Sequence, residues 1–543
     1  MSSTVPAKNS YDYIVIGSGF GGSVSAMRLS KKGYRVLVLE EGKWWEEKDF
    51  PKTNNNIFRF FWFPKLFCRG IQRIDFFRHT AVLSGSGVGG GSLVYANTLL
   101  EPPDVFYQSP EFPPDINWKK ELGPHFETAA TMLGKTTNET HTAMDEMILQ
   151  TAKAFGVENT FYREKVGVFF GEADKTVPDP YFGGNGPERT GCTLCGGCMT
   201  GCKVGAKNVL LKNYLYFALQ NGAEIRANRK VVDIIPEKDG GYTVIARHPG
   251  TFGIRKYKYQ TRGIVVAAGV LGTLRLLSNL KEKGRIPISD RLGDSVRTNS
   301  ESLLGVRCFG KDVNLAEGVA ITSGIYLDPE THVEPVRYPV GSNIMGLITT
   351  LLTNKENGKN RLLLLIKNIL RHPLLAIRAL WPGKWAKQSI ILLIMQSKDN
   401  RIRLKPKRKY FGGVKLKSSL EPGVERVPVY IPKANEYAKK MAELFHGVAM
   451  SNIYEVLFDT PLTAHILGGC PIGTSVDDGV VDTSQRLFDV DNFYVVDGSV
   501  IPANLGVNPS LTITAMSERA MSLVPDAAKQ HQERDSWLVR TWR

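Results

Sequence analysis

Residues 11–40, YDYIVIGSGFGGSVSAMRLSKKGYRVLVLE, open with β-branched and aromatic residues, break at glycines, and continue in a helical pattern before a second apolar run. That order predicts strand, tight turn, helix and strand. Residues 264–277, IVVAAGVLGTLRLL, predict a strand ending in small residues and the start of a helix. Residues 493–520, FYVVDGSVIPANLGVNPSLTITAMSERA, predict a strand, a turn at Asp497 and Gly498, and a helix entered through Asn508 and Pro509. Between these segments the pattern changes. Residues 361–385, RLLLLIKNILRHPLLAIRALWPGKW, predict two short helices around His372, with Pro373 in the first turn of the second. Residues 387–410, KQSIILLIMQSKDNRIRLKPKRKY, predict strands of a sheet, with KPKRK in a turn.

Composition narrows the class without choosing a function. The 543 residues are 42% hydrophobic and 22% charged, with mean hydropathy −0.16. That profile excludes a disordered chain and a polytopic membrane protein, and the length suggests about three to four domains. No repeats or low-complexity segments stand out. The opening residues MSSTVPAKNSYDY lack a charged region followed by an apolar core, so the expectation is a cytoplasmic protein with reduced thiols.

Charge changes the picture more. The net charge is +16, and residues 359–409 hold fourteen Lys or Arg against one acid, Asp399. The rest is close to neutral. These cations are interleaved with LLLLIKNIL and IILLIM rather than with base-stacking aromatics, which argues against nucleic acid. Lys367 and Arg371 share a helix face, and no run is long and apolar enough to span a bilayer. Two readings stay open: a basic amphipathic pair on a membrane surface, or core helices with a solvated basic edge. The aromatic cluster IFRFFWFPKLF, residues 57–67, fits a lipid entry or a core.

Gly17, Gly19 and Gly22 form G-x-G-x-x-G between the first strand and helix. The first glycine permits a tight turn, the second lets backbone approach a pyrophosphate, and the third lets helix and strand pack closely. An anion there meets unpaired N–H groups at a helix N-terminus. Glu40 ends the second strand, where an acid would bind a ribose hydroxyl. The fingerprint marks a dinucleotide site and does not separate NAD from FAD.

Three further segments add to it. Residues 83–97, LSGSGVGGGSLVYAN, form a second glycine-rich loop with Gly85, Gly87, Gly89, Gly90 and Gly91. The motif AHILGGC carries His465, and the 493–520 segment follows. Together these resemble the glucose–methanol–choline (GMC) family of FAD oxidoreductases, nearest to its cholesterol-oxidase-like bacterial branch, from about residue 11 to about residue 525. The resemblance implies an α/β fold. A discontinuous Rossmann-like FAD domain would be built from 1–118, 205–300 and 461–543. A connecting region would span 119–204. An α+β substrate domain with a mainly antiparallel sheet would span 301–460, with the basic apolar helices at 361–387.

The resemblance also assigns sites. Gly17, Gly19, Gly22 and Glu40 would hold the ADP half of FAD, and the loop with Gly85, Gly87, Gly90, Gly91 and Asn97 would run beside flavin and pyrophosphate. Val232 would meet the adenine through its backbone, and Asp497 and Gly498 would contact the ribityl–phosphate region. His465 and Asn508 match the catalytic pair. Alcohol oxidation removes a hydroxyl proton and a hydride, and flavin N5 takes the hydride. An imidazole suits the proton, and an amide N–H₂ suits the developing alkoxide. Taken alone, His465 would be a core histidine and Asn508 a helix cap. An additional glutamate expected for double-bond isomerisation is not located; Glu301 in TNSES and Glu334 in HVEPVRY are candidates by region.

Residues 192–208, CTLCGGCMTGCKVGAKN, place Cys192, Cys195, Cys198 and Cys202 at C-x2-C-x2-C-x3-C spacing. Iron–sulfur ligands, a reduced thiol loop, zinc ligands and disulfides all remain readings of that spacing. The run also resembles the cysteine loop of FAD-dependent sugar dehydrogenases in the same family, which implies an iron–sulfur cluster as an electron exit. The leading expectation is an FAD-dependent oxidoreductase of a lipophilic alcohol such as a sterol, passing electrons to oxygen or to a carrier, with oxidase and dehydrogenase both open, in the cytoplasm and peripheral on the inner face of the cell membrane. A dehydrogenase feeding a carrier through the cluster, and a non-catalytic membrane-docked flavoprotein, are the alternatives.

Overall fold

The computed structural model describes residues 10–250, 255–355, 359–408 and 413–528. Its first sheet has seven strands. Ser10–Ile16 is central and pairs in parallel with Val36–Leu39 and with Lys256–Val266. Glu224–Arg226 extends the sheet in parallel beyond Val36–Leu39. The long strand Lys256–Val266 changes partner along one edge. Its first half pairs antiparallel with Tyr242–Arg247, and its last residues pair in parallel with Phe493–Val495. Ile14, Val15, Leu37, Val38, Ile264 and Val265 are buried. That is why these strands read as unbroken apolar runs rather than as alternation.

The second seven-stranded sheet is antiparallel throughout. Its order is Thr349–Leu351, Gly447–Asn452, Ser302–Cys308, Ser389–Gln396, Thr331–Val336, Ser323–Asp328 and Tyr162–Arg163. One face carries Leu304, Val306, Ile325 and Ile394 against helices Ala143–Phe155 and Pro432–Leu444, through Met144, Ile148, Tyr437 and Met441. The other face presents Ile321, Val336, Leu393 and Met395. It looks across a cleft toward the nucleotide sheet.

One expectation is corrected. KPKRK is not a turn: Lys405 to Arg408 lie in the strand Ile402–Arg408, hairpinned with Val414–Leu420, and Lys409 lies outside the described residues. Ile402, Leu404 and Leu416 point into the core of the nucleotide sheet. Burying that alternate face outweighs the tendency of a charged run to turn. The tail beyond residue 528 lies outside the described residues.

The helices Arg361–Arg371 and Pro373–Leu380 form as the pattern predicts. They hold the body by a narrow strip: Leu365, Ala376 and Ala379 pack on Leu351, Val448 and Val456. Arg361 is buried and donates to the carbonyls of Val429 and Thr353 at 3.0 Å each. Leu363, Leu370, Leu374, Ile377 and Trp381 stay in solvent, Leu374 at 82% exposure. No helix among the described residues is long and apolar enough to cross a membrane.

Candidate active site

Three glycine segments converge at the carboxyl ends of the central strands. Gly17 has φ +99°, and a side chain there would strike the backbone of Ala267 on the neighbouring strand. A Cβ on Gly90 would lie 2.6 Å from the Cα of Gly19, so the two loops touch backbone to backbone. Glu40 ties them together. It is buried and accepts from Ser18 N (3.1 Å), Ser18 Oγ (2.8 Å), Gly42 N (2.8 Å) and Gly87 N (3.4 Å). Burial raises its pKa against those donors.

The cleft above them has a volume of about 1320 Å³ including its open mouth. Gly19, Gly85, Gly91, His465, Asp497, Gly498 and Asn508 line it. Gly17, Gly22, Glu40, Gly87, Gly90 and Asn97 stand behind that wall, where they shape it. Asn97 is buried at φ +72°, with its side-chain amide against the Cys198 thiol. Val232 does not line the cleft; its carbonyl accepts from Asn279 at 3.2 Å beside a strand bulge. Asp497 accepts from Thr273 Oγ1 (2.5 Å) and Ser499 N (2.8 Å), and burial raises its pKa.

His465 and Asn508 line the same cleft. Leu467 and Arg297 exchange backbone bonds at 2.9 and 2.8 Å, which lays the 464–467 segment along 297–301. Glu301 thereby reaches His465. Its Oε2 accepts from Ala464 N at 2.7 Å, and its Oε1 meets His465 Nδ1 in a close ion-paired hydrogen bond. Burial pulls the imidazole pKa down, but the charge and hydrogen bond of Glu301 more than reverse this, and the net shift is upward. Asn508 does not cap the following helix: Pro509 occupies the N-cap of Ser510–Ser522. The Asn508 amide donates to Glu334 Oε2 at 3.2 Å, and burial pushes the Glu334 pKa up. Asn299 staples the loop before Asn508. Its Oδ1 accepts from Leu505 N (3.0 Å) and Gly506 N (2.9 Å), and its Nδ2 donates to Val507 O (2.9 Å).

The two glutamates that sequence placed only by region thus sit on the two members of the expected pair. No spacing announces them, because each contact joins residues more than 150 positions apart. Beyond His465 and Asn508 the wall becomes apolar: Met199, Ile321, Val336, Tyr338 and Leu393.

The cysteine loop forms a separate small cavity lined by Cys192, Cys195, Cys198 and Cys202 with Lys207. All four thiols are free, and only Cys195 is exposed. Among the described residues no three His, Cys, Asp or Glu side chains are arranged to hold a metal ion, so the iron–sulfur expectation has no support here. The physical reason is visible in the loop. Backbone bonds to Gly318 fix it, and Lys207 Nζ donates to the carbonyls of Leu93 (3.1 Å), Tyr95 (2.9 Å) and Cys198 (2.8 Å). Burial lowers the Lys207 pKa to about 7 and raises that of Cys198 to about 11.

Residues 186–294 and 424–517 match the sequence profiles of the GMC oxidoreductase family, and residues 15–43 match an NAD(P)-binding Rossmann-like domain. The chain is 46% identical to a cholesterol oxidase of Acinetobacter baumannii, over 95% of this chain and 94% of that protein. The chain belongs to the GMC oxidoreductase family. A cholesterol oxidase of Mycobacterium tuberculosis is 44% identical over 96% of this chain and 92% of its own length. A long-chain-alcohol oxidase of Arabidopsis thaliana is 25% identical over 95% of this chain and 67% of its own length. Among solved structures, pyridoxine 4-oxidase aligns at a TM-score of 0.60 and 15% identity, covering 94% of this chain and 98% of that one, which speaks to the shared fold. As a GMC protein with this glycine cradle, the chain is an FAD-dependent alcohol oxidoreductase. The backbone-to-backbone contact of Gly19 with Gly90 fits a bound cofactor.

Proposed function

We propose that this enzyme oxidises the hydroxyl of a lipophilic alcohol of the sterol class and delivers the electrons to oxygen. The observation that carries this reading is one cleft with His465 and Asn508 at its polar end and Met199, Ile321, Val336, Tyr338 and Leu393 at the other. The names of the relatives at 46% and 44% identity support it. Gly17, Gly19, Gly22 and Glu40 would hold the ADP half of FAD, and Gly85, Gly87, Gly90, Gly91, Asn97, Asp497 and Gly498 the flavin half. Val232, away from the cleft, would meet the adenine through its backbone. FAD, when bound, accepts the hydride from the alcohol carbon.

The chain's own residues handle the proton and the charge. Glu301 fixes the imidazole with Nδ1 toward the carboxylate, leaving Nε2 to take the hydroxyl proton. The anion then stabilises the imidazolium that forms. The Asn508 amide steadies the alcohol oxygen as negative charge develops. Glu334 holds that amide in place.

Anaerobic mixing with sterols, long-chain alcohols and sugars tests the substrate class. Sterols should bleach the flavin fastest. Bleaching by sugars alone would refute the sterol reading. Admitting oxygen after bleaching should restore the yellow form with one peroxide per alcohol.

The helices Arg361–Arg371 and Pro373–Leu380 support a peripheral membrane reading on the inner face of the cell membrane. Exposed Leu363, Leu370, Leu374 and Trp381, with Lys367, Arg371 and Arg378 among them, suit acyl chains and lipid phosphates respectively. Phe58, Leu66 and Phe67 are also exposed, whereas Phe60 and Trp62 are core. Co-sedimentation with anionic vesicles, lost on replacing Leu370 and Leu374 by serine, is the test.

A further inference from the structure

Behind Asn508 and its partner Glu334 the antiparallel sheet carries further polar groups, buried Glu164 and His332 with half-buried Tyr162, to which alcohol oxidation gives no role. The register aligns Tyr162 with Gly324, and Ile325 with Val333, which puts Glu334 next to Gly324 on the neighbouring strand. Gly324 has no side chain, and the ring of Tyr162 lies across it toward Glu334. In the adjacent row His332 faces Tyr326. Tyr162 Oη and His332 Nε2 are 2.6 Å apart, and the rings of Tyr162, His332 and Tyr326 cluster in a triangle, with His332 at 5.9 Å from Tyr162 and 4.7 Å from Tyr326. Glu164, two residues from Tyr162 on the same face, is fully buried and accepts from Lys165 N at 3.1 Å.

Glu334 Oε1 and Asn508 Oδ1 have no hydrogen-bond partner in the protein, while Glu164 reaches the Tyr162 hydroxyl and His332 the backbone of Gly506. All of these side chains except Tyr162 are buried. Unpaired buried polar atoms are costly, which makes a buried polar cluster beside Asn508 a candidate for function. The outer end reaches toward the surface, since Tyr162 and Tyr326 are half-buried.

We propose that Glu334, Glu164, Tyr162 and His332 form a proton relay between the alcohol pocket and the surface beside the strand Tyr162–Arg163. Glu334 faces His465 and Glu301 on the pocket side, and Glu164 faces Tyr162 and Lys165 on the outer side. Burial, reinforced by the neighbouring carboxyl, pushes the Glu164 pKa well up, and burial does the same to Glu334. Two buried acids that repel each other's charge do not both ionise, and the pair keeps a proton at neutral pH. His332 stays neutral, its pKa lowered by burial to about 4, so it passes a proton without trapping it.

The chemistry gives such a route a use. Each alcohol oxidised loses a hydride from carbon and a proton from oxygen. Each O₂ reduced to H₂O₂ takes up two electrons and two protons, one of them arriving with the hydride's electron pair. The second is the proton taken by His465, and the relay lets it leave to solvent and return between the two half-reactions instead of staying on the imidazole. The relay rests on the oxidase reading, and the following test separates the two.

Holoenzyme reduced with dithionite, without any alcohol, is mixed with oxygenated buffer. Tyr162→Phe and Glu164→Gln are expected to keep FAD and slow flavin reoxidation roughly a hundred-fold. The solvent deuterium isotope effect should rise, and added imidazole should restore the rate. Infrared spectra should show a protonated carboxylic acid at neutral pH that weakens in Glu164→Gln. Because no alcohol is used, a wrong substrate class leaves this result untouched. Tyr162→Phe reoxidising at the parental rate, with an unchanged isotope effect, overturns the relay whatever Glu164→Gln does.

Discussion

Glu301→Gln is the sharpest test of how the site handles a proton. The substitution preserves shape and removes one negative charge. A hydrogen bond to a charged partner contributes about 1.5–3 kcal/mol, and a neutral one about 0.5–1.5. The difference between the midpoints, about 1.2 kcal/mol, is a little under one pKa unit on the imidazole. A larger effect comes from geometry. Ala464 N donates to one carboxylate oxygen at 2.7 Å, so the glutamine oxygen takes that place and its NH₂ faces His465 Nδ1. The imidazole proton then moves to Nε2, which can no longer accept the alcohol proton. Flavin reduction should fall by about 10²- to 10⁴-fold. In the parent enzyme the pKa of His465 is raised, and the acceptor must be unprotonated. The rate therefore climbs as pH rises through a value above that of an ordinary histidine. In Glu301→Gln the residual rate should climb at lower pH, and Glu301→Asp should recover part of the parental profile. Anaerobic stopped-flow bleaching across pH measures both. Reduction at the parental rate, with an unmoved acid limb, would refute the Glu301–His465 assignment.

His465→Ala should retain the yellow cofactor while flavin reduction drops by roughly a hundred-fold or more, read by the same mixing experiment. Gly90→Ala forces a Cβ onto Gly19 at φ +53° and should yield protein with little FAD, measured by absorbance ratio after purification. Glu455 is buried, and burial raises its pKa to about 8. The folded state then favours its protonated form, so stability is full below the ordinary carboxylate pKa and declines as pH rises toward about 8. Glu455→Gln should flatten that part of the Tm–pH curve; an unchanged slope would remove Glu455 as its source.

The sequence by itself determined the nucleotide half of this protein. Strands buried on both faces must be continuously apolar, and turns that touch neighbouring backbone must be glycine. Ser10–Ile16, Phe20–Lys31 and the loops around Gly17 and Gly90 were therefore legible from local chemistry. The paired helices around His372 were equally plain, since amphipathic spacing and a proline at N1 are local signals. Tertiary structure decided the rest. Glu301 meets His465, and Glu334 meets Asn508, only because the two sheets close over one cleft, and contacts across so much chain leave no periodicity to read. The cysteine loop carried a spacing that suits a metal, yet Lys207 and the backbone of Gly318 set it as a wall. KPKRK looked like a turn by charge and became a strand because its alternate residues had a core to fill. Residue type and spacing encode what a segment does to itself, while the partner of a buried charge depends on which distant segment folding brings beside it.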